Sequence, residues 1–328
     1  MSLDTQNSTA FIEAQQYSKF ILENLQDMLL PDTFYRDVSD FQSGTTLNIK
    51  TVGSVTIQDT AEGQPLNFTP IDTNTLTLSI TDYVGDAWYI SDELREDAAQ
   101  VEQLSAMRGM ESARAIAEKH ESDFLKAANA ALTSANVNLV NGRPHRWVAD
   151  AAANNSYKIG LADFIAMKLA FDKANVPAEG RIALVDPVVE ATLNSLTNLV
   201  NVSNNPMFDG IVTEGFAKKH KFVRNIFGFD IWTSNRLPTL AATEAIDASS
   251  YGIGASETAP IGSVVNLFMS VADDNTRPVM HAWRRQPKTE GWRDHDNRQD
   301  KLQSTSRYGF GAQRRDTIGA IITSSVNY

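Results

Sequence analysis

The places where this chain could do chemistry are its histidines, its acidic clusters and one glycine-rich stretch. The histidines are His120, His145, His220, His281 and His295. They stand far apart, and no HExxH pairs two of them on one helical face as a zinc protease requires. "WRDHDNRQD" at 292–300 gathers Asp294, His295, Asp296 and Asp300. Carboxylates and an imidazole at that spacing suit a divalent cation or a hydrolase. Arg293 and Arg298 lie among the acids, however, and a mixed-sign cluster tends to neutralise itself in solvent. "VADDNTRP" at 271–278 has the Asp-Asp-Asn and Pro chemistry of a turn between strands rather than of a calcium loop. "YGIGAS" at 251–256 lacks the third glycine and the leading strand of a dinucleotide loop. No Walker loop and no GxSxG elbow is present. With no cysteine in the chain, disulfides, thiolate metal sites and a cysteine nucleophile are excluded. No catalytic residue, cofactor site or metal site is assigned.

Composition points the same way. The 328 residues suffice for a sizeable core and for two lobes. A net charge of -11 is the wrong sign for a protein that grips phosphate backbones, with "HAWRRQPK" and "AQRRD" the only candidate basic patches. There is no long apolar run to span a membrane, and "MSLDTQNSTAF" lacks the basic-then-apolar order of a secretory signal. The absence of cysteine fits assembly in a reducing cytosol.

The elements are more informative than the motifs. Residues 9–29 read as an amphipathic helix with Phe11, Ile12, Phe20, Ile21, Leu25 and Met28 at helical spacing, ended by Pro31. It packs either on its own domain or, as an arm, on another subunit. "TTLNIKTV" and "TLTLSIT" alternate as strands, with Leu47, Ile49 and Thr51 on one face of the first and Leu76, Leu78 and Ile80 on one face of the second. Between them "GSVTIQDTAEGQPLNFTPID" makes a long two-stranded projection. Such a hairpin has no second layer and is marginal alone. Leu66 and Phe68 near its tip call for cover. Residues 91–132 are the strongest helix, capped by Ser91, with Asp92, Glu93 and Glu96 at its positive end. About 40 residues would span roughly 60 Å, the length of a strut, unless Gly109 bends or breaks it.

The rest reads as an α/β lobe and a return to strands. "GLADFIAMKLAFDKANV" is helical, with Leu161, Phe164, Ile165, Leu169 and Phe171 as its stripe; "RIALVD" is a buried strand; Pro187 starts a helix. "FGFDIWTSNRLP" is a strand with Phe229, Ile231 and Thr233 on one face and Asp230 and Trp232 on the other. "SVVNLFMSVA" and "PVMHAWRR" are strands, and in "STSRYGFGAQRRD" Arg307, Gly309 and Gly311 alternate with Tyr308, Phe310 and Ala312.

This order of parts resembles the HK97-like major capsid protein of tailed double-stranded DNA bacteriophages, of podovirus or siphovirus type. Three stretches carry the resemblance: "TLTLSITDYVGDAWYISDELRED", "ANVPAEGRIALVDPVVEATLNSL" with "FGFDIWTSNRLP", and "HAWRRQPKTEGWRD" with "STSRYGFGAQRRDTIGAIITS". It implies an α+β fold with an N-terminal arm (1–43), an extended β-hairpin loop (44–90), a spine helix of the peripheral domain (91–135), a connecting loop (136–159), an axial α/β domain (160–262) and closing strands of the peripheral domain (263–328). It implies self-assembly into hexamers and pentamers of an icosahedral shell. The extended loop would lie across a neighbour through Gln58, Glu62, Gln64, Leu66 and Phe68, and the arm would bind through Phe11, Phe20 and Leu25. A separate scaffolding protein, a portal at one vertex, enclosed DNA bound without sequence specificity and a decoration protein are the other implied partners, with no membrane. The implied location is the virion, after assembly in the host bacterial cytoplasm. Some members cross-link the loop through a lysine–asparagine bond. Here the only lysine between Lys19 and Lys119 is Lys50, away from the tip, so non-covalent assembly is expected. The alternatives are an encapsulin-type compartment of the same fold and, less favoured, a hydrolase using Asp294 and His295.

Overall fold

The computed structural model describes residues 29–39, 44–53, 57–65, 67–68, 70–71, 73–97, 101–149, 157–195, 225–253 and 257–326. After Pro31, one turn of 3-10 helix (Asp32–Phe34) leads to β1 (Arg36–Asp37). β2 (Thr46–Val52) and β3 (Thr73–Ser79) follow, then β4 (Asp82–Ser91), α1 (Asp92–Asp97) and α2 (Val101–Ala130). Short strands β5 (Leu139–Val140), β6 (Arg143–Pro144) and β7 (Arg146–Val148) precede α3 (Leu161–Lys173), β8 (Arg181–Val185) and α4 (Pro187–Ser195). The chain continues through β9 (Asn225–Ile226), β10 (Phe229–Thr233), β11 (Glu244–Ile246), β12 (Glu257–Ala259) and β13 (Val264–Ser270). It closes with β14 (Val279–Asp294), β15 (Gln299–Ala312) and β16 (Ile318–Thr323).

Two sheets organise these elements. The first has strand order β1-β14-β15-β4 and the second β7-β16-β13-β8-β10-β9. In the second sheet β8, β13 and β16 are buried along their whole length. Strands covered on both faces read as continuous apolar runs, which is why "RIALV" and "VVNLFM" do not alternate. Ala183, Val185, Phe268 and Ile321 face one core with Phe164, Met167 and Phe171 of α3. Ile182, Leu184, Leu267, Met269 and Ile322 face the other, with Phe124, Leu125 and Ala128 from the end of α2. β10 lies between the two cores, Phe229 and Ile231 toward the first and Trp232 toward the second, as its alternation predicts.

The structure departs from the sequence reading at several points. Segment 263–328 is divided between the sheets: β13 and β16 pair with each other, and β13 with β8, while only β14 and β15 join β4. Strand periodicity tells which face is buried but not which partner is chosen. Likewise β4 leaves the hairpin and enters the four-stranded sheet. On α3 the buried apolar side chains are Phe164, Met167, Ala170 and Phe171, while Ile165 is 52% exposed and Leu169 faces out as well. Read as one apolar stripe, the helix in fact turns two of its large apolar residues away from the core. Along the strut, α1 and α2 fall within the expected helix, and Gly109 lies inside α2. α2 alone, at 30 residues, is about 45 Å long. Ser91 does cap: its Oγ accepts the Leu94 amide at 3.3 Å. The expected helix 9–29, with Phe11, Phe20 and Leu25, lies outside the described residues except for Leu29.

Candidate assembly surface

Residue register builds the projecting hairpin. β2 and β3 pair antiparallel with Leu47 opposite Leu78 and Ile49 opposite Leu76, so all four share a face. At the root that face is buried: Leu78, Ile80, Met280 and Ala282 form a small core against which Leu47, Ile49 and Leu76 pack. Two glycines make the approach possible. A Cβ on Gly309 would stand 2.5 Å from the Ser79 carbonyl oxygen and 2.8 Å from Ile80 Cα. One on Gly311 would stand 2.8 Å from Leu78 Cδ1. The alternation in "RYGFGA" thus has a physical meaning. The glycine face of β15 receives the hairpin root, and its Tyr308–Phe310 face packs on the aromatic cluster beside α2.

Away from the root, cover runs out. Within the span 57–71 every described residue is exposed. Gln58 braces the projection: its Nε2 donates to the Asn67 carbonyl at 3.0 Å, and its Oε1 accepts the Asn67 amide at 3.1 Å. Gly63, at φ 83°, takes the left-handed corner of a turn in which the Gln64 amide donates to the Ala61 carbonyl at 3.1 Å. Glu62 and Gln64 sit on that turn. Phe68 is 98% exposed and Ile57 90% exposed, and Ile71 is open as well. Leu66 lies outside the described residues. The sequence reading named Phe68 but not Ile57 or Ile71; both flank the tip in the same polar stretch and carry the same signal. A second open apolar feature is the cleft between α2 and the four-stranded sheet, lined by Trp88, Ile90, Ala106, Trp292 and Leu302.

Of the side chains that looked chemical, Asp294 and Asp300 are occupied structurally, while His295 and Asp296 lie exposed on the β14–β15 turn. Asp294 closes the β14–β15 turn. Its Oδ1 accepts the Asp296 amide at 3.1 Å, and its Oδ2 meets Lys301 Nζ at 2.5 Å and Asn297 Nδ2 at 2.9 Å. The Lys301 bond, with help from Asn297, holds this carboxyl well below the usual range. Asp300 pairs with Arg95 at 2.7 Å and with Arg293 at 3.1 Å. Among the described residues no group of three or more histidines and carboxylates is placed to hold a metal. Asp273 opens a turn, its carbonyl accepting the Thr276 and Arg277 amides. Residues 249–251 form a 3-10 turn, and residues 254–256 of the glycine-rich stretch lie outside the described residues. In the basic candidates, Arg285 and Lys288 both reach Glu290, and Arg314 reaches Asp316. No helix among the described residues is long and apolar enough to cross a membrane.

Buried polar groups instead tie the strut to its surroundings. The Glu121 carboxylate on α2 accepts the Leu30 amide at 3.1 Å and the Ser234 hydroxyl at 3.0 Å, with Arg236 at 3.6 Å. Arg146, 1% exposed, donates to Glu244 at 2.8 and 3.2 Å and to Asn129 Oδ1 at 2.7 Å. Burial works to raise the Glu244 carboxyl, but the Ser134 hydroxyl and Arg146 overcome it and hold it low. Glu121 also lines, with His120, Tyr35 and Trp283, a cavity between α2 and residues 29–35.

Comparison with known proteins agrees with a structural role. A family model described as phage capsid protein matches residues 72–323. Among solved structures, a chain from the capsid of cyanophage P-SCSP1u superposes with a TM-score of 0.70 at 16% identity, covering 96% of this chain and 93% of that one. A chain of the bacteriophage PhiM1 mature capsid gives 0.71 at 17% identity, covering 98% and 95%. A chain of the cyanophage Pam1 capsid gives 0.64 at 14% identity, covering 100% and 99%. No curated protein matches.

Proposed function

The chain belongs to the phage capsid protein family and has its HK97-like fold, and from that premise we propose how it builds a shell. As a capsid protein it is part of the virion and assembles with copies of itself. The finer reading is that subunits form hexamers and pentamers of an icosahedral head, each laying its β2–β3 hairpin on the next. The observation that carries this is the hairpin itself: an ordered ladder whose root is buried, whose brace is internal and whose apolar tip has no cover among the described residues. Covering one phenylalanine stabilises by about 1.5–3 kcal/mol. A head-to-tail contact that closes into a ring repeats that gain at every subunit, and many modest contacts give a strong shell.

Gln58, Glu62, Gln64, Leu66 and Phe68 are the proposed loop contacts, with Gln58 also holding the loop in shape. Phe11, Phe20 and Leu25 are the proposed contacts of the arm. The segments 1–43, 44–90, 91–135, 136–159, 160–262 and 263–328 are proposed as arm, loop, spine, connector, axial and closing units, with β4 of the second taken into the four-stranded sheet and β7, β13 and β16 lending the axial sheet three of its strands. Assembly is non-covalent, since Lys50 lies in β2 and not at the tip. The shell does no catalysis of its own. A separate scaffold, a portal, a decoration protein and enclosed DNA complete the particle, which is put together in the host cytoplasm. The acidic chain suits a wall that encloses DNA without gripping it. The family match favours this reading over an encapsulin-type compartment. Replacing Phe68 by serine and following assembly by size-exclusion chromatography tests it. A folded variant that no longer forms shells supports the reading, and shells formed as readily as by the unaltered chain would count against it.

A further inference from the structure

Two buried histidines meet where three elements join. His120 of α2 and His281 of β14 are 8% and 0% exposed, and their Nε2 atoms are 3.0 Å apart. One Nε2 must donate and the other accept, so the contact exists only while at least one ring is neutral. The rings are boxed by aromatic groups. Trp283 stacks on His120 with centroids 4.7 Å apart, and Tyr35, Tyr308 and Phe310 close the sides. His281 Nδ1 is buried and has no hydrogen-bond partner among the described residues.

The pair underlies the docking of residues 29–39. β1 pairs parallel with β14, Asp37 opposite His281, and the Val38 amide donates to the His281 carbonyl at 2.8 Å. Tyr35 lies against both imidazoles, its ring centroid 5.0 Å from that of His281. The Trp283 amide donates to Ser39 Oγ at 2.9 Å. His281 has no exposed surface, while His120 borders a cavity whose other wall is Leu29, Leu30, Asp32 and Tyr35 of this segment.

We propose that the His120–His281 pair is a proton-operated latch, which holds residues 29–39 on α2 and β14 while both rings are neutral and releases them when the rings take up protons. The charged groups around the pair do not supply a buried counter-ion. Asp37 Oδ1 is 3.9 Å from His281 Nδ1 but its side chain is 61% exposed. Asp32 and Asp123 accept the hydroxyls of Tyr35 and Tyr308, and Asp123 is already paired with Lys119. Glu121 points to Leu30, Ser234 and Arg236, and Arg277 reaches the Tyr35 carbonyl and Asp274. Burial dominates: it pushes His120 down to about 4, against the pull of Asp32 and Asp123. Burial and then the charge of His120 push His281 down to about 3, against Asp37. A base whose proton affinity is lowered in the docked state favours docking above its free value of about 6.5 and loses that support as pH falls toward the docked value. The window is therefore pH 6.5 down to about 4.

Hydrogen exchange of the full chain, corrected for the intrinsic pH dependence, measures the latch in peptides covering residues 34–39. Linkage gives a loss of protection of roughly twentyfold per ring between pH 7 and pH 5. The double variant His120→Gln, His281→Gln keeps groups that can hydrogen-bond and removes both titrating rings; its protection should hold within about threefold. Unchanged protection in the parent chain, or an equal loss in the double variant, overturns the latch. Should the double variant fail to fold, His120→Gln alone is compared. Its protection should then fall with pH at a one-proton rather than a two-proton slope, and an unaltered slope overturns the proposal.

Discussion

Single residues decide whether the projection can sit on its sheet. Gly309 meets backbone on its hairpin side, and backbone has no rotamer to move aside. Gly309→Val should therefore displace β3 from β15 at a cost of about 1–3 kcal/mol, read as a lower urea midpoint. Arg146→Ala should cost more, about 3–5 kcal/mol, because Glu244 would be left charged beside Ser134 with its buried partner gone. Both are measured on unassembled chain, so that shell contacts do not mask the loss. The glycine alternation stands in plain view in "RYGFGA". Its purpose is invisible there, because the strand it admits comes from more than 200 residues earlier. The His120–His281 contact is hidden for the same reason, its partners being 161 positions apart. The acidic cluster at 292–300 was readable as self-neutralising only in part: Arg293 does pair with Asp300, but Asp294 is met by Lys301 and Asp300 also by Arg95 of the distant α1.

The hairpin and the strut follow from local periodicity, because a strand or helix face repeats within a few residues, and the buried strands follow from short unbroken apolar runs. Sheet membership does not: β13 sits between β16 and β8, and nothing local to "VVNLFMS" names either neighbour. The same limit explains α3, where Ile165 and Leu169 are apolar yet face away from the core. At this scale the hairpin tip is the part open to test. Phe68→Ser should leave the secondary structure and urea midpoint of the lone chain within about 0.5 kcal/mol, since an exposed side chain contributes little to its own fold. It should raise the concentration needed for assembly roughly tenfold or more, the equivalent of about 1.4 kcal/mol at each contact. Circular dichroism checks the first outcome and light scattering against concentration the second.

The described residues form two main sheets bridged by a strut, with a projection that none of them covers. α2 lies on the four-stranded sheet and ends in the core of the six-stranded one, so one helix fixes the geometry of both. An uncovered apolar projection on a well-packed body is what a subunit built for a shell requires. The most direct test is negative-stain electron microscopy of the purified chain, alone and with its scaffold, beside size-exclusion chromatography. The account predicts closed shells, or rings of six and five subunits that close when the scaffold is supplied. A compact monomer or dimer that never assembles under either condition would contradict it.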